Sequence, residues 1–355
     1  MSNTQLFENK TIVITGGTGS LGKILVRRIL DGKRGLPKKL IIFSRDEGKQ
    51  HDMRLEYHHK NAATDEVIYS NFRRVLEFRI GDVRDYASVC SVLKYADIVI
   101  NAAAIKQVPT CEYFPYQAVK TNIEGAQNIV RAISEHKLPV ETVVAVSTDK
   151  ACKPVNVMGM SKAIQERVFI TANIDNAQTR FICVRYGNVV ASRGSVIPLF
   201  LAQIENGGPL TITTKEMTRF ILYLEKAVDT IFTAIAYAKR GETYIPKVPS
   251  VKIIHVAKAL IEEKPVKIVY TGIRPGEKIH EVLISDEEVG RSLDRGECYA
   301  IKPLLPELQD GSKEKIALSK EYSSLDNPLS LLQTKKLLQS IATQKRRLKE
   351  SEPIL

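Results

Sequence analysis

Ser147-Thr148-Asp149-Lys150 follow directly on the apolar run Thr142-Val143-Val144-Ala145-Val146, and Met158 and Lys162 come soon after, four residues apart. Thr, Asp and Lys at the carboxyl end of a buried strand fall in the crevice where α/β sheets hold ligands. A carboxylate beside an amine is the pairing that proton-transfer chemistry needs; it also suits an ordinary ion pair. The i, i+4 spacing sets Met158 and Lys162 on one face of a helix. A thioether exchanges no proton, so of these two only Lys162 titrates.

A second cluster binds rather than reacts. Thr15 to Gly22 carries G-x-x-G-x-x-G at Gly16, Gly19 and Gly22, after a β-branched run and before a helical pattern. Such glycines allow a tight turn and close approach of backbone to a pyrophosphate, and the following helix N-terminus supplies amide donors. Gly16, Thr18, Gly19, Ser20, Leu21 and Gly22 are thus candidate cofactor contacts. At the end of the next strand stand Ser44-Arg45-Asp46, with Lys49 close by. Ser44, Arg45 and Lys49 suit the 2′-phosphate of NADP, because an arginine offers a charge-assisted fork. Asp46 keeps NAD open. Asp82, with Val83 behind it, is placed to accept from an adenine amino group. Ala102, Ala103 and Ala104 are small enough for a ribose and nicotinamide to lie against backbone.

These residues need a scaffold, and the sequence supplies one. Thr11–Ile14, Leu40–Phe43, Val75–Ile80, Ile98–Ile100, Thr142–Val146 and Phe181–Val184 are short apolar runs separated by helical patterns. Continuous apolar strands alternating with helices predict a parallel sheet covered on both faces, a doubly wound α/β (Rossmann) fold. Residues 1–187 form the nucleotide-binding domain in this reading, including the catalytic segment 147–162. Residues 188–302 are mainly a smaller C-terminal substrate-binding cap, with strands at Leu210–Thr213 and Val266–Val269 and a helix from Glu225 to Lys239. Residues 303–355 are a helical extension with one amphipathic helix near Leu329–Leu348.

Composition narrows the function. With 355 residues, 44% hydrophobic, the chain has ample material for a large core. Its net charge of +12 favours anionic ligands. No aromatic-basic motif supports nucleic acid as a partner. Lys345, Arg346, Arg347 and Lys349 read as a solvated helix face, with a membrane-surface or partner contact as the other reading. Five cysteines without C-x-x-C argue against a disulfide framework or a Cys-rich zinc site. His58 and His59 read as surface residues, and no metal site is expected. No apolar run reaches the roughly 18–20 residues of a membrane span, so a cytoplasmic protein is expected.

The T-G-G-x-G-x-x-G start, the Ser-Thr-Asp-Lys segment and the Lys162 spacing resemble the extended short-chain dehydrogenases/reductases. More narrowly, the chain resembles the soluble, C5-inverting UDP-N-acetylglucosamine 4,6-dehydratases of polysaccharide biosynthesis. Further stretches carry the likeness across residues 7 to 302: Ser44 to Glu47, Ala103 to Pro109, Arg185 to Val189, Gly194 to Pro198, Met217 to Phe220 and Arg274 to Lys278. The resemblance implies oxidation at C4 by NADP⁺, loss of water across C5–C6, and return of hydride to C6. In that scheme Lys150 is the base at C5 and Asp149 the acid at the C6 hydroxyl. Lys150 would need a lowered pKa, which burial and a neighbouring cation can give. Thr148 would hydrogen-bond the 4-hydroxyl, and Lys162 the nicotinamide ribose. Asn122, Val189 and Lys106 join the cofactor side by the same resemblance. Lys106, Met158, Asn188, Arg193, Gly194, Ser195, Val196, Arg219, Arg274 and Glu277 are implied on the side of a UDP-N-acetylhexosamine. Pro275-Gly276 forces a turn that can present Arg274 and Glu277 together.

One departure stands out. The wider superfamily has Tyr where this chain has Met158, so the 4-hydroxyl proton leaves by another route, through Lys162 or Lys150. A C5-retaining dehydratase, a UDP-sugar 4-epimerase and a non-catalytic NADP-binding sensor are the rival readings. A homo-oligomer, dimer or hexamer, is expected from the resemblance.

Overall fold

The computed structural model describes residues 5–58, 66–189, 196–309, 311 and 313–350. Six parallel strands come first: β1 Thr11–Thr15, β2 Lys39–Ser44, β3 Leu76–Ile80, β4 Ile98–Asn101, β5 Thr142–Thr148 and β6 Arg180–Tyr186. All five residues of β1 are buried, as a strand covered on both faces requires. Then follow β7 Asn188–Val189, β8 Leu210–Ile212, β9 Thr218–Leu222, β10 Thr243–Pro246, β11 Ser250–Lys252, β12 Ile268–Tyr270, β13 Val282–Ile284, β14 Ser292–Arg295, β15 Cys298–Ile301 and β16 Tyr322–Ser323.

The large sheet has nine strands in the order β14-β15-β10-β6-β5-β4-β1-β2-β3. β10 runs parallel to β6, and the β14–β15 hairpin closes the edge antiparallel. The strand order reverses at β1 and β4, which opens a crevice above their carboxyl ends. Alternation along β1 divides the core. Ile12 and Ile14 face the helices Ser20–Leu30 and Leu224–Tyr237, while Val13 faces Tyr86–Leu93, Gly125–His136 and Val157–Asp175.

Segment 188–302 is shared between this sheet and a smaller body. The latter holds the sheets β11-β9-β7 and β12-β8 around Phe200, Ile212, Met217, Val251 and Val256. The final helix, Leu331–Glu350, adds Leu337 and Leu338 to that core. Before it, β16 pairs antiparallel with β13, so the last strand among the described residues reaches back to the segment just after residue 281. A buried Arg185 ties the layers together. Its guanidinium donates to both oxygens of Glu166 and both of Glu288, at 2.7 to 3.0 Å.

Candidate active site

The glycine loop has the geometry a dinucleotide needs. Gly16 has φ +66, and a Cβ there would stand 2.8 Å from Ala103 Cα. A Cβ on Gly22 would stand 2.2 Å from the carbonyl oxygen of Gly17, so glycine lets the helix Ser20–Leu30 start directly against the loop. Gly19 caps that helix with no side-chain acceptor, which leaves the first-turn amides for an anion. A cavity of about 920 Å³ opens there. It is lined by Gly16, Thr18 to Gly22, Ser44, Arg45, Lys49, Asp82, Val83, Ala102 to Ala104, Lys106 and Val189, and continues to the catalytic segment. A cradle that only glycine backbone can form, with cations at its far end, fits a phosphorylated dinucleotide.

The rim around β2 is already wired. Thr18 and Ser44 hydroxyls meet at 3.0 Å, both buried. Lys49 pairs with Asp46 by side chain, and Asp46 is held below its usual range chiefly by that contact. Asp82 is the partner of Arg84 and lies 3.8 Å from Arg45. Partial burial pushes the Asp82 carboxyl up, but the Arg84 hydrogen bonds win and it sits low. Asn122 does not line the cavity. It lies in a π-helical turn, Val119–Glu124, where its amide bonds the Ile105 backbone on both sides and the Ser161 hydroxyl, fixing the loop that carries Lys106.

At the end of β5 the catalytic candidates meet. Thr148 caps a short 3₁₀ turn, Asp149–Ala151, and its hydroxyl donates to Asp149 Oδ1 at 2.8 Å. Lys150 Nζ donates to the same oxygen at 3.1 Å. Asp149 Oδ2 is buried without a hydrogen-bond partner. Gly159 makes this turn possible, since a Cβ there would stand 2.2 Å from Lys150 O. Lys162, 5% exposed, donates to Val146 O and Gln165 Oε1 at 2.8 and 2.9 Å. Its third N–H is left for the cavity it lines. Met158 packs beside Cys111 and Ala118 and lines the same cavity.

On the substrate side, Asn188 and Arg274 line the cavity, and Asn188 Oδ1 is buried without a partner. The Pro275-Gly276 turn forms, with Gly276 at φ +76 and the Glu277 N–H bonded to Arg274 O. Glu277 accepts from the Arg274 N–H and the Thr213 hydroxyl. Arg219 is turned inward instead, donating to the carbonyls of Thr218, Lys278 and Ile279. It does not line the cavity, nor does Glu277 or Val196, which begins the helix Val196–Glu205. Arg193, Gly194 and Ser195 lie outside the described residues.

Comparison with known proteins decides the family. The model of the polysaccharide biosynthesis protein family matches residues 12–303. The chain belongs to that family. It is 42% identical over 346 residues to a UDP-glucose 4-epimerase of Rickettsia bellii, covering 94% of this chain and 96% of that protein. It is 41% identical over 336 residues to the inverting UDP-N-acetylglucosamine 4,6-dehydratase of Campylobacter jejuni, covering 91% and 95%. Among solved structures it is similar to Pen from Bacillus thuringiensis, with TM-score 0.83 and 34% identity over 95% of this chain and 100% of that one. This polysaccharide biosynthesis protein is therefore an enzyme of the short-chain dehydrogenase/reductase superfamily, with both dehydratase and epimerase relatives.

Two features of the site went unread in the sequence. The first is Glu281, 2% exposed, whose Oε1 lies 3.3 Å from Lys150 Nζ. It stands 131 positions from Lys150, and the only signal was its place behind Arg274-Pro-Gly-Glu277. The second is the direction of the Lys150 pKa. Burial lowers it, but Asp149 and Glu281 outweigh burial, and the amine is held above its ordinary value. The expected depression falls on Lys162 instead, which burial pushes down to about 8.

Proposed function

We propose that this protein is a UDP-N-acetylglucosamine 4,6-dehydratase that inverts C5 and works through tightly held NADP⁺. The observation that carries the reading is the Asp149–Lys150 pair, its carboxylate buried and its amine partly exposed, lining the same cavity as the glycine loop. A 4-epimerase moves hydride on and off C4 and has no use for a paired acid and base at C5–C6. The N-acetylglucosamine substrate and the inversion are supported by the name of the Campylobacter jejuni relative. Ser44, Arg45 and Lys49 would hold the 2′-phosphate. Arg274 would meet the diphosphate. NAD is the alternative cofactor, for which Asp46 speaks.

When bound, the nicotinamide supplies a hydride acceptor for C4 and a donor for C6. The protein's own groups manage the protons. Lys162 lies buried with its pKa pushed down to about 8, so a fraction of it is neutral at physiological pH, and that neutral amine is the group to receive the 4-hydroxyl proton. Met158 fills space beside it. A ketone at C4 makes the C5 hydrogen acidic. One proton passing from Lys150 Nζ to Asp149 Oδ1, across 3.1 Å, turns the ion pair into a neutral amine and a neutral acid. Lys150 then takes the C5 proton while Asp149 protonates the departing C6 hydroxyl. The proton that Asp149 delivers is the one its Oδ1 received from Lys150, and Asp149 returns to the anion as it gives that proton up. Unpartnered carboxylate oxygens on Asp149 and Glu281 also disfavour a substrate with a carboxylate at C6.

The experiment is proton NMR of the protein with UDP-N-acetylglucosamine in D₂O. The reading expects a C6 methyl signal, deuterium at C5, and ring couplings of the L configuration at C5; D couplings would mean the retaining dehydratase. A second reading, a UDP-sugar 4-epimerase, is favoured by the name of the Rickettsia bellii relative. It expects the C4 epimer, an intact C6 hydroxymethyl and no deuterium at C5. We place the enzyme in the cytoplasm as a homo-oligomer, dimer or hexamer, feeding surface polysaccharide or capsule synthesis. The exposed Tyr113, Phe114, Tyr116, Met160 and Ile164 support self-association.

A further inference from the structure

Lys150 is bounded by four charges from three parts of the chain. Asp149 is its neighbour in the 3₁₀ turn, and Glu281 approaches from just before β13. Arg219 of β9 lies 3.9 Å from Glu281, and Lys278 reaches across to donate to Cys152 O at 2.6 Å. Glu281 is the odd member. It is almost wholly buried, one oxygen touches Lys150, and the other has no partner. Burying a carboxylate costs stability unless it is paired, and Lys150 at 3.3 Å is the nearest cation to Glu281, with Arg219 further off at 3.9 Å.

Its backbone is held by the end of the chain. The Glu281 N–H donates to Ser324 Oγ at 2.9 Å, and the Ser324 N–H returns to Glu281 O at 2.8 Å. The Ser324 hydroxyl also meets Thr218 Oγ1 at 2.8 Å, which in turn contacts His280 Nδ1. The segment after residue 303, which has no part in the dinucleotide loop, thus fixes a carboxylate against the amine of the catalytic turn.

We propose that Glu281 is a positioning residue for Lys150: its carboxylate aims the Nζ into the cavity and supplies the counter-charge for the ammonium formed when Lys150 takes the C5 proton. This rests on Lys150 being the C5 base. Glu281 touches neither substrate nor cofactor in this scheme, and acts by making its neighbour a stronger, better-aimed base. Asp149 cannot fill that role alone, because it returns to the anion only as it gives up its own proton.

The test uses the full-length protein and two readouts. The first is trace labelling of Lys150 by acetic anhydride across pH, followed by peptide mass spectrometry. Glu281→Gln removes the charge and keeps the shape, so the labelling midpoint is expected to fall by about one pH unit or more. The second is deuterium incorporation at C5 of UDP-N-acetylglucosamine, expected to drop about 10- to 100-fold with KM little changed. Glu281→Asp keeps the charge and should recover part of both. Ser324→Ala loosens the same carboxylate and should give a milder version, which covers the case in which Glu281→Gln does not fold. An unmoved labelling midpoint, or C5 exchange within threefold of native in a folded Glu281→Gln protein, overturns the inference. If the native protein leaves the sugar unchanged, the dehydratase reading falls, while the labelling experiment still decides whether Glu281 governs Lys150.

Discussion

Replacing Lys150 by Met removes one charge and leaves a side chain of similar length. Two buried carboxylates then face each other without their cation. At an effective dielectric of 20, the gross attraction across 3.1 and 3.3 Å is about 5 kcal/mol for each contact. Desolvation of the ammonium offsets much of this, and removing one partner of a buried ionic cluster typically costs a net of about 3–5 kcal/mol. Arg219, 3.9 Å from Glu281, compensates part, so the lower end of that range is expected. The sign with pH follows from linkage. Lys150 has a raised pKa, so its contribution is complete below its ordinary value of 10.5 and is lost only as pH rises through the higher folded value. In the variant the surplus negative charge takes up a proton in acid, so the gap between native and Lys150→Met should narrow from pH 7 to pH 5. Urea unfolding at both pH values measures it. A loss under about 1 kcal/mol at pH 7, or a gap that widens in acid, would refute the view that these carboxylates depend on Lys150. In the same protein, dehydration should fall by a factor of about 10² or more while nucleotide binding survives.

Three other expectations are simpler. Gly22→Ala should prevent stable folding or abolish cofactor binding, because the new methyl meets Gly17 backbone at 2.2 Å; Gly48→Ala, with nothing nearer than 3.6 Å, should be neutral or slightly stabilising, and thermal melts compare them. Arg45→Ala should cut the preference for NADP over NAD by about 10- to 100-fold, read by titrating both dinucleotides, since it deletes a charge-assisted phosphate contact. Met158→Tyr should be tolerated or mildly harmful, and a rate increase of orders of magnitude would instead mark the native site as decayed.

The large sheet was legible because β1, β2, β4, β5 and β6 are buried almost throughout and appear as apolar runs; β3, expected to be buried like them, is instead a partly exposed edge strand in which Glu77 and Arg79 interrupt the apolar residues. The glycine loop was legible because its function is a backbone function, and only glycine meets it. The edge was harder. β10 contains Pro246 and spans four residues, which gives no periodic signal, yet it lies against β6. The substrate side depended on side-chain direction. Arg219 was expected to face a ligand and instead satisfies three carbonyls, one on its neighbour Thr218 and two on the distant loop at 278–279. Lys150 was expected to be depressed by burial and a neighbouring cation, but Asp149 beside it and Glu281, which arrives from a distant part of the chain, together hold its amine up.

The bond between Glu281 and Ser324 has a consequence for biosynthesis. A nascent chain holding everything up to β15 already has its dinucleotide loop, its catalytic turn and most of its sheet. It lacks the strand that anchors the carboxylate beside Lys150. The carboxylate beside Lys150 is therefore anchored only once residues made after the glycine loop and the catalytic turn are present. A cut between β15 and Ser324 would sever that anchor while leaving the glycine loop and the Asp149–Lys150 turn in one piece of chain.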